Sequence, residues 1–163
     1  MDHSIVFVQM GGGLNKKSIG GSPVFTDLLA RLLIKNNIDV YLVTNPSDEY
    51  GFQFLNNKRF VVKFKRSKDF ELIIFDYFNL KKELNKIINK LPDKSIFITI
   101  SPFPVDIMAA HFLKRKLKKR VAIIMDHITP SILFHPIRRG PIRSTIAWFI
   151  SIFALVIVKF DNI

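Results

Sequence analysis

The chain has 163 residues, 48% of them hydrophobic and 23% charged, which fits one folded domain with a real core and excludes a disordered chain. Lys and Arg number 25 against 13 Asp and Glu, a formal net charge of +12, so an anionic partner is expected: nucleic acid, a phospholipid surface or a phosphorylated substrate. The alternative is a solvated basic face. There is no cysteine, which removes disulfides, thiolate nucleophiles and Cys-based zinc sites.

Ile5-Val6-Phe7-Val8 reads as a strand buried on both faces, as in parallel sheets. No secretory signal precedes it, because the apolar run is short and lacks a positive flank. A glycine-rich loop follows from Gly11 to Gly21. A helix is predicted next, with Ser22 as N-cap and Pro23 at the first helical position. Val24, Leu28, Leu29, Leu32 and Leu33 form its apolar face, and Asn36-Asn37 ends it. Asp39 to Thr44 is a second strand, which completes a βαβ unit.

The middle of the chain is less regular. Arg59 to Lys65 reads as a strand in which Phe60, Val62 and Phe64 alternate with basic positions. Phe70 to Phe75 is a further strand or a connection. Leu80, Leu84, Ile87, Ile88 and Leu91 keep helical spacing up to the stop at Pro92-Asp93.

The second half repeats the pattern. Ser95 to Ile100 is a strand, Ser101-Pro102-Phe103-Pro104 a turn, and Val105 to about Lys118 a helix with Lys114, Arg115, Lys118 and Lys119 near its carboxyl end. Val121 to Met125 is an apolar strand with Asp126-His127 just past it. A loop rich in Pro, His and Arg runs to Pro141. A helix near Ile142–Phe153 and a strand near Leu155–Phe160 follow. Ser144 to Val158 is uncharged, but its fifteen residues fall short of the ~20 that span a bilayer, so it is read as buried helix and strand, with a peripheral membrane contact as the alternative. The expected fold is α/β: a Rossmann-like, doubly wound, mainly parallel sheet in three α/β/α layers, as a single domain over residues 1–163.

Ligands of such sheets bind outside the carboxyl ends of the strands, where three loops are expected. Gly20 and Gly21 let a backbone come close to a ligand, and with Ser22 they precede free helical N–H groups that favour a pyrophosphate. The loop matches neither G-x-G-x-x-G, since counted from Gly11 the place of the third glycine is taken by Lys16, nor a Walker A pattern. Asp126 and His127 are the candidate catalytic pair, able to orient hydroxyls, relay protons or steady a developing charge. Ser101, Arg138, Arg139 and Arg143 are candidates for acceptor or anion binding, arginine forks being suited to phosphate. Each has a bland alternative: a surface loop, a hydrogen-bonded loop pair, a solvated charge. No metal-ligand spacing, no G-x-S-x-G elbow and no aromatic platform within the basic clusters stands out, so no metal is expected and nucleic acid is an unlikely partner.

Two blocks carry a family resemblance. Ile19-Gly20-Gly21-Ser22-Pro23-Val24-Phe25, through Leu28-Leu29-Ala30-Arg31-Leu32-Leu33, to Asp39-Val40-Tyr41-Leu42-Val43-Thr44 looks like the opening of family 4 GT-B glycosyltransferases, with Asn36-Asn37-Ile38-Asp39-Val40 where Gly-His-Glu-Val is usual. Ser101-Pro102-Phe103-Pro104 and Val121 to Pro130, with Asp126-His127 inside it, are similar to that family's later "hD..p" block. The resemblance covers nearly the whole chain but only the N-terminal, acceptor-side half of the family's length. It implies a retaining, metal-independent transfer from a nucleotide-sugar, used as substrate with no cofactor, to a glycan or lipid-linked acceptor. It places Gly20 and Gly21 near the donor diphosphate and a residue at Asp126-His127 near the donor sugar. The family's C-terminal domain, with its E-x7-E glutamates and most donor contacts, has no counterpart in these residues. The chain is therefore expected to be incomplete alone: a truncated gene, an excised domain, or one subunit of a split enzyme that works with a second GT-B half. The expected location is the cytoplasm or the inner face of its membrane. A non-catalytic docking module for membranes or a partner is the alternative.

Overall fold

The computed structural model describes residues 4–10, 21–45, 52–63, 73–100, 104–118 and 120–123. Among the described residues, five strands form one sheet: β1 (Ser4–Gln9), β2 (Val40–Thr44), β3 (Arg59–Val61), β4 (Ser95–Thr99) and β5 (Arg120–Ile123). Their order is β3-β2-β1-β4-β5, and every pairing is parallel. Three α-helices connect them: α1 (Gly21–Lys35) after β1, α2 (Ile73–Asn85) after β3 and α3 (Pro104–Leu117) after β4.

The pleat sorts the core into two halves, because successive side chains of a strand point to opposite faces. Val6, Val8, Val43 and Phe97 pack with Leu80 and Leu84 of α2 and with Val105, Ala109, Ala110 and Leu113 of α3. Phe7, Val40, Leu42 and Ile98 pack on the other face with Ala30, Leu29 and Leu33 of α1. The connectivity explains this division. Right-handed crossovers that run in opposite directions along a sheet put their helices on opposite faces. The β1-to-β2 crossover runs one way; the β3-to-β4 and β4-to-β5 crossovers run the other. The result is the expected α/β/α, doubly wound, Rossmann-like architecture.

Most elements lie within a residue or two of the sequence expectation, and the departures have causes. Helix α1 starts at Gly21, so Ser22 lies inside the helix and is not its N-cap. Pro23 is tolerated there because the first four helical N–H groups have no intrahelical partner to lose. The carboxyl end of α1 follows expectation. Asn37 is left-handed (φ 59°), Ile38 N–H bonds back to the Leu33 carbonyl at 3.0 Å, and Asn37 N–H bonds to Ile34 at 2.9 Å. That pair of bonds is a Schellman closure, in which asparagine replaces the usual glycine.

The buried face of α1 differs from expectation. Val24 (39%), Leu28 (61%) and Leu32 (56%) are exposed, while Thr26 and Ala30 are buried beside Leu29 and Leu33. Apolar side chains cover more than half the circumference of this helix, so periodicity alone did not choose the face. The sheet takes the side bearing the smaller Thr26 and Ala30, which allows close approach.

Ile73 to Phe75 are helical and not a strand, because α2 extends back from the Leu80–Leu84 ridge. Helix α2 also stops at Asn85, short of Leu91. Lys86 and Ile87 N–H groups bond three residues back, to Glu83 and Leu84, and the chain then forms a 3-10 turn at Ile88–Lys90. A second 3-10 segment, Gln53–Lys58, stands between β2 and β3, where sequence reading named no element; its Leu55 is buried. β3 is only three residues long, with Phe60 half-buried and Val62 buried as the alternation predicted. Phe64, the stretch from Phe70 to Leu72, and the helix and strand expected beyond Ile142 lie outside the described residues. Phe7, Phe52, Phe97 and Phe112 are buried, whereas Phe25 and Phe78 are exposed, so phenylalanine is core material only in part. Among the described residues, no helix is long and apolar enough to cross a membrane.

Candidate functional site

The strand order reverses direction between β1 and β4, since the chain leaves β1 toward β2 and leaves β4 toward β5. Such a switch point opens a crevice at the carboxyl ends of the strands, because the two outgoing connections diverge to opposite faces. Here β1 ends at Gln9, and α1 begins at Gly21 after the glycine-rich stretch. β4 ends at Thr99, and α3 begins at Pro104.

Buried polar side chains gather at this end of the sheet. Gln9 (3% exposed) and Thr44 are register partners at the ends of β1 and β2, on the α1 side. Thr26 of α1 is buried on that side too. Thr99 ends β4 on the opposite face, and Asp106 in the first turn of α3 is fully buried. Burying polar groups is costly unless they are hydrogen-bonded; each of the five residues has an interaction partner, while Gln9 Oε1 and Asp106 Oδ2 are buried without a hydrogen bond. Across the switch point, the backbone N–H of Met10 donates to the Asp106 carboxylate.

Of the sequence-predicted site residues, Gly21 and Ser22 lie in the first turn of α1, at the carboxyl end of the sheet. The first N–H groups of a helix have no intrahelical partner, and Pro23 has no N–H to offer. Gly20, Ser101, Asp126, His127, Arg138, Arg139 and Arg143 lie outside the described residues. In sequence, Asp126 follows the end of β5 by three positions.

Sequence reading missed Gln9, Thr44, Thr99 and Asp106. The available signal was a polar residue closing each of three apolar strands, and an aspartate two positions after the helix-starting Pro104. His111 sits half-buried on α3, and its Nδ1 makes no hydrogen bond. Burial, and then the nearby Arg115 and Lys114 charges, hold its pKa below the ordinary histidine value.

An open cleft of about 530 Å³ lies at the opposite, amino end of the strands, lined by Ile34, Asn37, Asp39, Phe54, Asn56 and Lys58 among others. Lys58 pairs with Asp39 at 2.5 Å, a bond that raises its pKa, and the Arg31 guanidinium lies 4.1 Å from the Phe54 ring centre. Both charged partners of the pair are well exposed, so it contributes little to stability. The cleft is on the wrong end of the sheet for switch-point chemistry.

No family model, no curated protein and no solved structure matches this chain.

Proposed function

We propose that this domain is the acceptor-side half of a GT-B glycosyltransferase, which transfers a sugar from a nucleotide-sugar to a glycan or lipid-linked acceptor together with a donor-binding half. The observation that carries the reading is the switch point between β1 and β4, with α1 starting at Gly21, directly after the glycine-rich stretch in sequence. Free N–H groups and the positive end of the helix dipole suit a diphosphate leaving group there.

In this reading Gly20, Gly21 and Ser22 approach the donor diphosphate. Asp126 or His127 faces the donor sugar, and Ser101, Arg138, Arg139 and Arg143 serve the acceptor or its phosphate. The transition state is oxocarbenium-like, so fixed dipoles and cations that stabilise the departing diphosphate lower the barrier. The excess of positive charge would hold the domain against anionic lipid at the inner face of a membrane, where a lipid-linked acceptor is presented.

Affinity purification of the tagged chain from its native cells, read by mass spectrometry, tests the assembly. Recovery of a second Rossmann-like unit bearing paired glutamates, as a separate chain or on a longer product of the same gene, supports the reading. A chain recovered alone, binding anionic vesicles without nucleotide-sugar dependence, favours a non-catalytic docking module and overturns it.

A further inference from the structure

The end of β1 and the start of α3 lie far apart in the chain, and the Asp106 side chain joins them at the switch point. β1 is a central strand, yet its pairing with β2 runs out at Gln9. Met10 is 4% exposed, and its N–H would be left buried without water or a strand partner. Asp106 takes up that N–H from a position 96 residues further on. Asp106 is the third residue of α3, where a carboxylate is favoured by the helix dipole and where the α3–β4 packing fixes its backbone. A fully buried carboxylate is costly, and is better explained by what it holds.

We propose that Asp106 is a positioning residue that fixes where the backbone leaves β1 for the glycine-rich segment, by tying Met10 to the first turn of α3. The carboxylate acts on the peptide at Met10 and touches no ligand. The tether joins the end of β1 to the first turn of α3 across the switch point. Its consequence for phosphate binding rests on the donor reading above; the tether itself does not.

Asp106→Ala removes the acceptor. Asp106→Asn keeps an oxygen at the same reach but loses the charge assistance, which roughly doubles such a bond's strength. Amide hydrogen exchange of the full chain, followed residue by residue by NMR, is the readout. Met10 should exchange about tenfold faster in Asp106→Ala and by a smaller factor in Asp106→Asn, while Val6, Val8 and Phe97 in the strands keep their protection. Unchanged exchange at Met10 in both variants overturns the proposal. So does an increase at Met10 no larger than that at the strand amides, which would mark a general loss of stability. If Asp106→Ala does not fold, Asp106→Asn decides by the same comparison. Titration with inorganic pyrophosphate separates the two claims. Weaker binding in the variants extends the tether to the phosphate site. No pyrophosphate binding by the unaltered protein removes the donor reading and leaves the exchange result to judge the tether.

Discussion

Enlarging Ala30 tests which side of α1 meets the sheet. Ala30 has no exposed surface and packs with Phe7, Val40 and Leu42. Leucine at that position adds three carbons to a seam with no room for them, and overpacking of this kind costs about 1–3 kcal/mol. Leu28 is the control. It is 61% exposed, so truncation to alanine withdraws only the covered part of a side chain whose full burial stabilises by about 1.5–3 kcal/mol. That loss is under ~1 kcal/mol, and alanine's better helix propensity offsets part of it. Urea unfolding followed by circular dichroism measures both. With a slope on the order of 2 kcal/mol per molar, Ala30→Leu should lower the midpoint by about 0.5–1.5 M and Leu28→Ala by less than ~0.5 M. The opposite order would mean that the Val24–Leu28–Leu32 ridge faces the sheet, and the division of the core into two halves would then be wrong.

Two further predictions concern single histidines. His111 is held below its ordinary value, so the unfolded chain takes up a proton near pH 6.5 before the folded one does. Its contribution to stability is present above that pH and is lost as pH falls toward the folded value. The urea midpoint of the unaltered protein should therefore drop between about pH 7 and about pH 5, and His111→Gln should drop less; equal drops would remove His111 as a cause. On the proposed glycosyltransferase reading, His127→Ala should lower sugar transfer by the chain with its donor-binding half far more than it lowers stability. Parallel losses in both would make His127 a structural loop residue.

The sheet was legible because its inner strands are apolar runs of four to six residues bounded by loops, which is how a strand buried on both faces must read. The end of α1 was legible because Asn36-Asn37 carries its own signal: asparagine accepts the left-handed conformation that closes the helix. Ile73-Ile74-Phe75 misled, since a β-branched and aromatic run favours a strand locally, while the Leu80–Leu84 ridge docked on α3 makes it helical. The facing of α1 was ambiguous for the opposite reason, an excess of apolar residues with no single stripe. At the candidate site, local chemistry marked a helix start at Ser22-Pro23, and the helix begins slightly earlier, at Gly21. The link between Met10 and Asp106 was not readable, because nothing in either neighbourhood marks a hydrogen bond that spans 96 positions. The strand order, which alone makes Gln9, Thr99 and Asp106 neighbours at one crevice, is a tertiary fact.

The central claim is that the N-terminus of α1 meets a donor diphosphate during sugar transfer. The most direct measurement is incorporation of labelled sugar from a panel of nucleotide-sugars into lipid extract, catalysed by the tagged chain purified with its donor-binding half, with and without Gly21→Val. The account predicts incorporation from at least one donor by the unaltered assembly, and its loss in Gly21→Val with thermal unfolding little changed, because a side chain at that position blocks close approach to phosphate. Incorporation by Gly21→Val at the unaltered rate would contradict it, as would no incorporation from any donor.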